Sequence, residues 1–410
     1  MAAARTTVLK YYALRAVSTP GFMWPVSILY LVSHDVSYAT LALAGAAAAV
    51  LTVVGEVPTG YVSDRLGRRN TIVVAQVLFG TYPLTLLFAR SPPTVVAAFC
   101  LLGLAETLQS GAVTAWLYDA LDAHDATARY TRVEGRGQAI RLAVLAVTMV
   151  AGGLLYALNP DLPFVASTVM GSTGALVATT LPATGEGDGS DHLGVREALT
   201  VVREHLLSRE LRGFIALSSL AVAVGVSARS YVQPITVDAM SPLLAGVTVA
   251  GSPLPETAVL GVVYASFTGF GALLSDRAAG VEAWLGTRRT VLCSFLVDAL
   301  AMCAVLVEPL LVVPMMFVHR GVVSVLGPVK RSYLNEQLES VGRATVLSAV
   351  SMVVSLVQVP VGLGGGVLAD RLAPEVAVAA LGALLLVTTV LAALSTPVVF
   401  EERETAAPAD

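Results

Sequence analysis

An ionisable side chain at the centre of a bilayer costs about 2.5–3.5 kcal/mol, so each one found inside an apolar run asks for a partner or a task. In this chain the deep ones are Glu106, Arg229, Asp298 and Arg320, with Gln109, Gln138, Gln233, His319 and Gln358 as polar neighbours. A carboxyl in a low-dielectric cavity can take up a proton and release it as access alternates, and Glu106 is placed to carry that chemistry. The alternative is an acid held protonated, or bonded to a glutamine, that never titrates. Arg229 and Arg320 suit an anionic ligand, whereas Glu106 suits a cation or a proton; both readings stay open. Asp298 reads as a structural hydrogen bond to a neighbouring helix.

A second group of charges is compact. The stretch GEVPTGYVSDRLGRRN, residues 55–70, separates the apolar run 37–54 from the apolar run 71–89, and is expected as a charged loop between two membrane-length helices. Gly60 lets two helix backbones approach, and Gly67 permits a reversal that a Cβ would hinder. Asp64 falls near a helix end, and Arg65, Arg68 and Arg69 are cations suited to a membrane surface. Glu56, Asp119 and Arg141 lie at similar depth on three helices, and are expected to form an ion-pair network; snorkelling to the interface is the alternative.

These residues need a scaffold, and composition specifies one. The chain is 56% hydrophobic and 13% charged with a mean hydropathy of +0.76, which places it among integral membrane proteins. Spans of roughly 20 residues then nearly exhaust its 410 residues if there are twelve. They are expected at 10–32, 38–60, 70–89, 93–117, 136–158 and 162–182, then at 210–237, 256–275, 288–307, 309–329, 343–366 and 374–397. Residues 1–183 and 210–398 form two six-helix bundles in this reading. Between them, 184–209 is a cytoplasmic linker with an amphipathic helix, and 399–410 is a disordered tail. Residues 238–256 are expected as a loop on the opposite side.

Lysine and arginine fall almost wholly on one predicted side, leaving only Arg90 and Arg371 on the other, so both termini are expected in the cytoplasm. A net charge of −4 without long basic runs argues against nucleic acid as a partner. Cys100, Cys293 and Cys303 all sit in apolar runs, and the five histidines are scattered, so neither a disulfide framework nor a metal site is expected. No Walker motif or nucleophile elbow appears, and the chain is not expected to be an enzyme or to hold a cofactor.

The two halves echo one another. Ser275, Asp276, Arg277, Arg288 and Arg289 repeat the order of Ser63, Asp64, Arg65, Arg68 and Arg69 with extra residues inserted, although Ala272 stands where Gly60 would. Gly366, Asp370 and Arg371 make a third copy on the opposite side, expected as a helix cap or gate contact.

Residues 60–69 match the Gly-x-x-x-Asp-Arg-x-Gly-Arg-Arg pattern between the second and third helices of major facilitator superfamily transporters, and the chain resembles that superfamily. The resemblance implies an all-α fold of twelve transmembrane helices in two pseudo-symmetric bundles, with a binding site between the halves. It implies a conformational latch at Gly60, Asp64, Arg65, Gly67, Arg68 and Arg69, with Asp119 as relay acid and Asp276 and Arg277 as the second copy. It also implies a cavity lined by helices 1, 4, 7 and 10, to which Glu106, Gln109, Arg229, Gln233 and Arg320 belong.

The stretches SGAVTAWLYDAL and GPVKRSYLNEQLESVGRATVLS look like those of prokaryotic multidrug or efflux carriers. AVTMVAGGLLY lacks the Gly-Pro pair that such antiporters often carry in helix 5, which weakens the case for an exporter. The function implied is proton-coupled efflux of a small organic solute across the cytoplasmic membrane by a monomer. Proton-coupled import is the alternative, and a transport-inactive sensor or scaffold of the same fold is a further one.

Overall fold

The protein, described here from a computed structural model, is defined over residues 2–183, 212–249, 252–275, 277–337 and 343–395. The expected linker and amphipathic helix lie outside the described residues, as does the tail. So do Asp276, the side chains of Glu56 and Asp64, and the surroundings of Gly60.

The first span is not the single helix that its apolar run suggests. It comprises α1 (Ala2–Val17), a 3-10 turn (Gly21–Met23) and α2 (Ser27–Val32). Pro20 and Pro25 bracket the interruption, and neither has an N–H to give a helix ladder. Between them Gly21 adopts φ +64°, a backbone state that a side chain resists.

The second span, α3 (Tyr38–Leu66), starts at an N-cap where the Ser37 side chain accepts from the Thr40 N–H. It continues through Ser63, Asp64 and Arg65, so most of the expected charged loop is helical. Charged side chains at a membrane surface are solvated there and give the helix no reason to stop. The reversal is confined to Gly67, at φ +78°, after which α4 (Arg68–Leu87) begins.

Then come α5 (Pro92–Asp122), opened by a Ser91/Thr94 capping box, α6 (Tyr130–Leu158) and α7 (Leu162–Thr179). The seventh span, α8 (Arg212–Leu244), runs beyond its expected end. The loop after it holds a minimal hairpin of β1 (Thr248–Val249) and β2 (Ser252–Pro253), paired antiparallel.

Helix α9 (Glu256–Ser275) falls on its expected bounds, and the extra residues of the second motif copy form α10 (Ala278–Leu285). The chain then turns at Gly286, φ +76°, before α11 (Thr287–Ala304). Gly67 and Gly286 thus do the same job ahead of the two arginine pairs. The remaining spans are α12 (Val312–Gln337), α13 (Arg343–Arg371) and α14 (Pro374–Leu394).

Nine of the described helices are long and apolar enough to cross a membrane. The interrupted first span, α9 and α11 complete the twelve. Packing between the halves runs through α3 against α13 and α6 against α9. In span order these are helices 2 with 11 and 5 with 8, and a shift of six carries each pair onto the other, as a repeated six-helix unit requires.

Candidate functional site

The halves meet most closely at the end of the bundle away from Arg68, called here the far end. Gly366 of α13 lies against α3 so closely that a Cβ would stand 2.7 Å from the Tyr38 carbonyl oxygen and 2.8 Å from the Ala39 Cα. One helical turn on, the Asp370 carboxylate accepts from the Tyr38 N–H at 2.7 Å and the Ala39 N–H at 2.9 Å. An acid on one half therefore caps the first turn of a helix on the other, where the exposed N–H groups and the helix dipole favour negative charge.

Gly153 of α6 makes a similar approach to the Thr257 backbone of α9, and the Thr257 hydroxyl donates to the Gly153 carbonyl at 3.0 Å. Its neighbour Gly152 leaves room for the Phe22 carbonyl in the interrupted first span. The Ala-Gly-Gly run without proline is thus fitted to two backbone contacts.

Gln233 of α8 holds the first span to the other half. Its Oε1 accepts from the N–H groups of Ile28 at 2.8 Å and Leu29 at 3.2 Å, while its Nε2 donates to the Trp24 carbonyl at 2.9 Å. Across the break, Ser167 of α7 accepts from the Met23 N–H at 3.1 Å and donates to the Pro20 carbonyl at 3.2 Å. Gln233 lines the central cavity as expected from sequence, but its amide is occupied by backbone. Replacing it with leucine orphans buried backbone groups at about 1–3 kcal/mol each. Gln233→Leu is expected to lower the thermal unfolding temperature in detergent; an unchanged transition would contradict this role.

Beneath these contacts is a cavity of about 210 Å³, lined from both halves. Arg229 of α8, Arg320 of α12 and Gln358 of α13 supply polar groups, and Trp24, Tyr82, Phe99 and Phe267 supply aromatic walls. A second cavity of about 280 Å³ lies toward the motif end among α1, α5 and α6, lined by Arg15, Glu106, Gln109, Glu134, Gln138 and Arg141. The expected cavity residues are therefore divided between two chambers. Glu106 lies within electrostatic reach of Arg229, which joins the chambers.

At the motif end, Arg68 pairs with Asp119 and donates to the Ala115 carbonyl at 2.9 Å. Arg141 is not part of that group. Its Nε donates to Gln138 Oε1 at 3.2 Å, and Arg15 donates to the same oxygen. Asp119 and Arg141 thus belong to separate clusters, both within the first half, because α6 presents Arg141 toward α1 and away from α4. Arg69 reaches Asn70 at 3.4 Å, and Arg277 is exposed.

Asp298 has the structural partner expected of it: the Nδ1 of His319 lies 3.0 Å from its Oδ2, both residues are buried, and Gly225 leaves space for the imidazole. No cluster of three His, Cys, Asp or Glu residues able to hold a metal occurs among the described residues.

Twelve spans, two halves packed in reciprocal pairs and a polar cavity between them are accompanied by a family match. Residues 16–285 fit the model of the Major Facilitator Superfamily. The chain belongs to this superfamily. Over 159 residues it is 30% identical to an MFS-type transporter, YxaM of Bacillus subtilis (strain 168), a match spanning 38% of this chain and 37% of YxaM.

Solved transporters share the fold at low identity. The nucleoside transporter NupG superposes with a TM-score of 0.78 at 11% identity, over 95% of this chain and 98% of NupG. A bacterial homolog of the human lysosomal transporter Spinster, solved inward-facing and unoccupied, gives 0.66 at 14% identity over 96% and 95%. A D-xylose-proton symporter gives 0.60 at 14% identity over 94% and 95%. The chain is a multi-pass membrane protein of a secondary transporter family.

Proposed function

We propose that this facilitator moves a small organic solute across the cell membrane by alternating access, coupled to protons through Glu106, as a monomer. The motif end and both termini are cytoplasmic in this proposal, residues 1–183 and 210–398 are the rocking halves, and 184–209 joins them. One observation carries it: at the far end the Asp370 carboxylate of one half caps the first turn of α3 in the other, while a second polar chamber lies toward the motif side. That is the arrangement of a carrier shut outside and facing in.

In this state Arg68 is bound within its own half, to Asp119. Gly60, Asp64, Arg65, Gly67, Arg68 and Arg69, with Asp276 and Arg277 as second copy, act as the latch that engages when the cytoplasmic side closes. Asp64→Asn is expected to leave the protein in the membrane and cripple transport; full transport rates would remove the latch from the account.

The position of Glu106 favours solute and proton moving together. Ionised, it partly neutralises Arg229; protonated, it frees Arg229 for solute, so the two loads are taken up in one cycle. Export against entering protons is the second reading, favoured by the efflux-like stretches near residues 110–121 and 327–348. Reconstitution in liposomes with an imposed pH gradient and a solute panel tests both. Solute-dependent proton flux in the direction of solute movement is expected, opposite flux means exchange, and no flux with any solute would contradict transport.

A further inference from the structure

We infer that the solute of this carrier is an organic anion with an aromatic or other apolar body, its acidic group held between Arg229 and Arg320; the inference rests on the transport reading above. Both guanidinium groups line the central cavity. No described carboxylate lies within 4.0 Å of either arginine; Asp119 is paired with Arg68 and Asp298 with His319. The Nε of Arg320 is buried with no hydrogen-bonding partner. Such a donor is expensive to leave unmade, and it points at a missing acceptor.

Charge balance runs the same way. Arg229 lies within electrostatic reach of Arg320, so each cation raises the potential at the other. Glu106 faces Arg229, and the Tyr264 hydroxyl lies within electrostatic reach of Arg320. The nearest other acid on these helices, Asp298, is held by His319, which projects about 100° around α12 from Arg320. Among the described residues lining the two chambers, Arg15, Arg141, Arg229 and Arg320 are matched by Glu106 and Glu134. The path is cationic, and a guanidinium fork is shaped for the planar oxygens of a carboxylate, sulfonate or phosphonate.

The lining also argues against the alternatives. Two guanidinium groups facing a single acid, Glu106, leave net positive charge that repels a cation. Ser227, Ser230, Tyr231 and Gln358 can take polar substituents of a solute, but a neutral polyol would leave both guanidinium groups without an anionic partner, and Trp24, Phe99 and Phe267 are walls for an apolar body.

The test is binding to the purified carrier in detergent, with no gradient, using isosteric pairs that differ only in charge: 4-phenylbutyrate against 4-phenylbutyramide, and naphthalene-2-sulfonate against naphthalene-2-sulfonamide. Thermal protection is read for the wild type and for Arg229→Gln, Arg320→Gln, Arg229→Lys and Arg320→Lys. The acids are expected to protect and the amides not, with each glutamine variant losing about tenfold or more in affinity and each lysine variant keeping part of it. The lysine variants separate loss of charge from loss of fold.

Protection by the amides equal to that by the acids, or by none of the four probes, would overturn the inference. So would glutamine variants that bind the acids as the wild type does. Neutral solutes driving proton flux in liposomes while no acid binds would leave transport standing and this inference refuted.

Discussion

Gly366→Val is expected to abolish solute transport and leave the carrier unable to close at the far end. The position has no room: a Cβ there stands 2.7 Å from one backbone atom of α3 and 2.8 Å from another, and backbone cannot rotate away as a side chain can. Forcing α13 from α3 also withdraws the Asp370 carboxylate from the Tyr38 and Ala39 N–H groups it caps. Overpacking of this kind costs about 1–3 kcal/mol. As a conformational bias that is roughly 5–150-fold in the population of the closed arrangement, before the lost hydrogen bonds are counted.

The variant should insert in normal amounts, because the strain exists only when the far end is shut. Gly366→Ala should show the same defect in weaker form, and Asp370→Ala a defect without steric strain. Flux in liposomes measures the loss, and labelling of a cysteine introduced at Ser230, which lines the cavity, measures far-side access. Wild-type flux from Gly366→Val would show that this contact does not form in the working cycle.

Glu106→Gln is expected to separate solute movement from the pH gradient. The glutamine keeps the shape and hydrogen-bonding capacity of the protonated acid and cannot release a proton. Accumulation driven by a proton gradient should fall by about tenfold or more, to the level set by the solute gradient alone, while solute-for-solute exchange persists. The partner across the cavity sharpens the expectation, since Arg229 lies within electrostatic reach of Glu106. Uphill transport by Glu106→Gln that still follows the pH gradient would assign the proton to another group.

Sequence made the span count and the motif legible for physical reasons. Apolar runs of about 20 residues have few other uses. A glycine between a charged helix end and an arginine pair marks a reversal, and Gly67 takes the positive φ anticipated for it. The second copy was equally readable, although the helix α10 that occupies its insertion was not, since AAGVEAWL alone does not separate loop from helix.

The break in the first span was hidden because Pro20 and Pro25 also occur at simple kinks. Gln233, some 205 residues away, and Ser167 on α7 satisfy several of the backbone groups the break releases. Long-range acceptors of that kind leave no periodicity in the chain. The far-end role of Asp370 was half visible: the Gly-x-x-x-Asp-Arg spacing announced a cap, while its partner, the first turn of α3, depends on how the halves close. Glu106 and Arg229 were identified singly from their cost in an apolar run, and their mutual proximity needed the fold.

The account stands on reciprocal movement of the two ends, and paired spin labels measure it directly. With Cys100, Cys293 and Cys303 replaced, one pair at Ser37 and Leu372 reports the far end, and a second at Asn70 and Arg289 reports the motif end. Pulsed dipolar spectroscopy in liposomes, with and without Gly366→Val, should show the first distance lengthening as the second shortens. Distances that stay fixed at both ends, or lengthen and shorten together, would contradict alternating access in this protein.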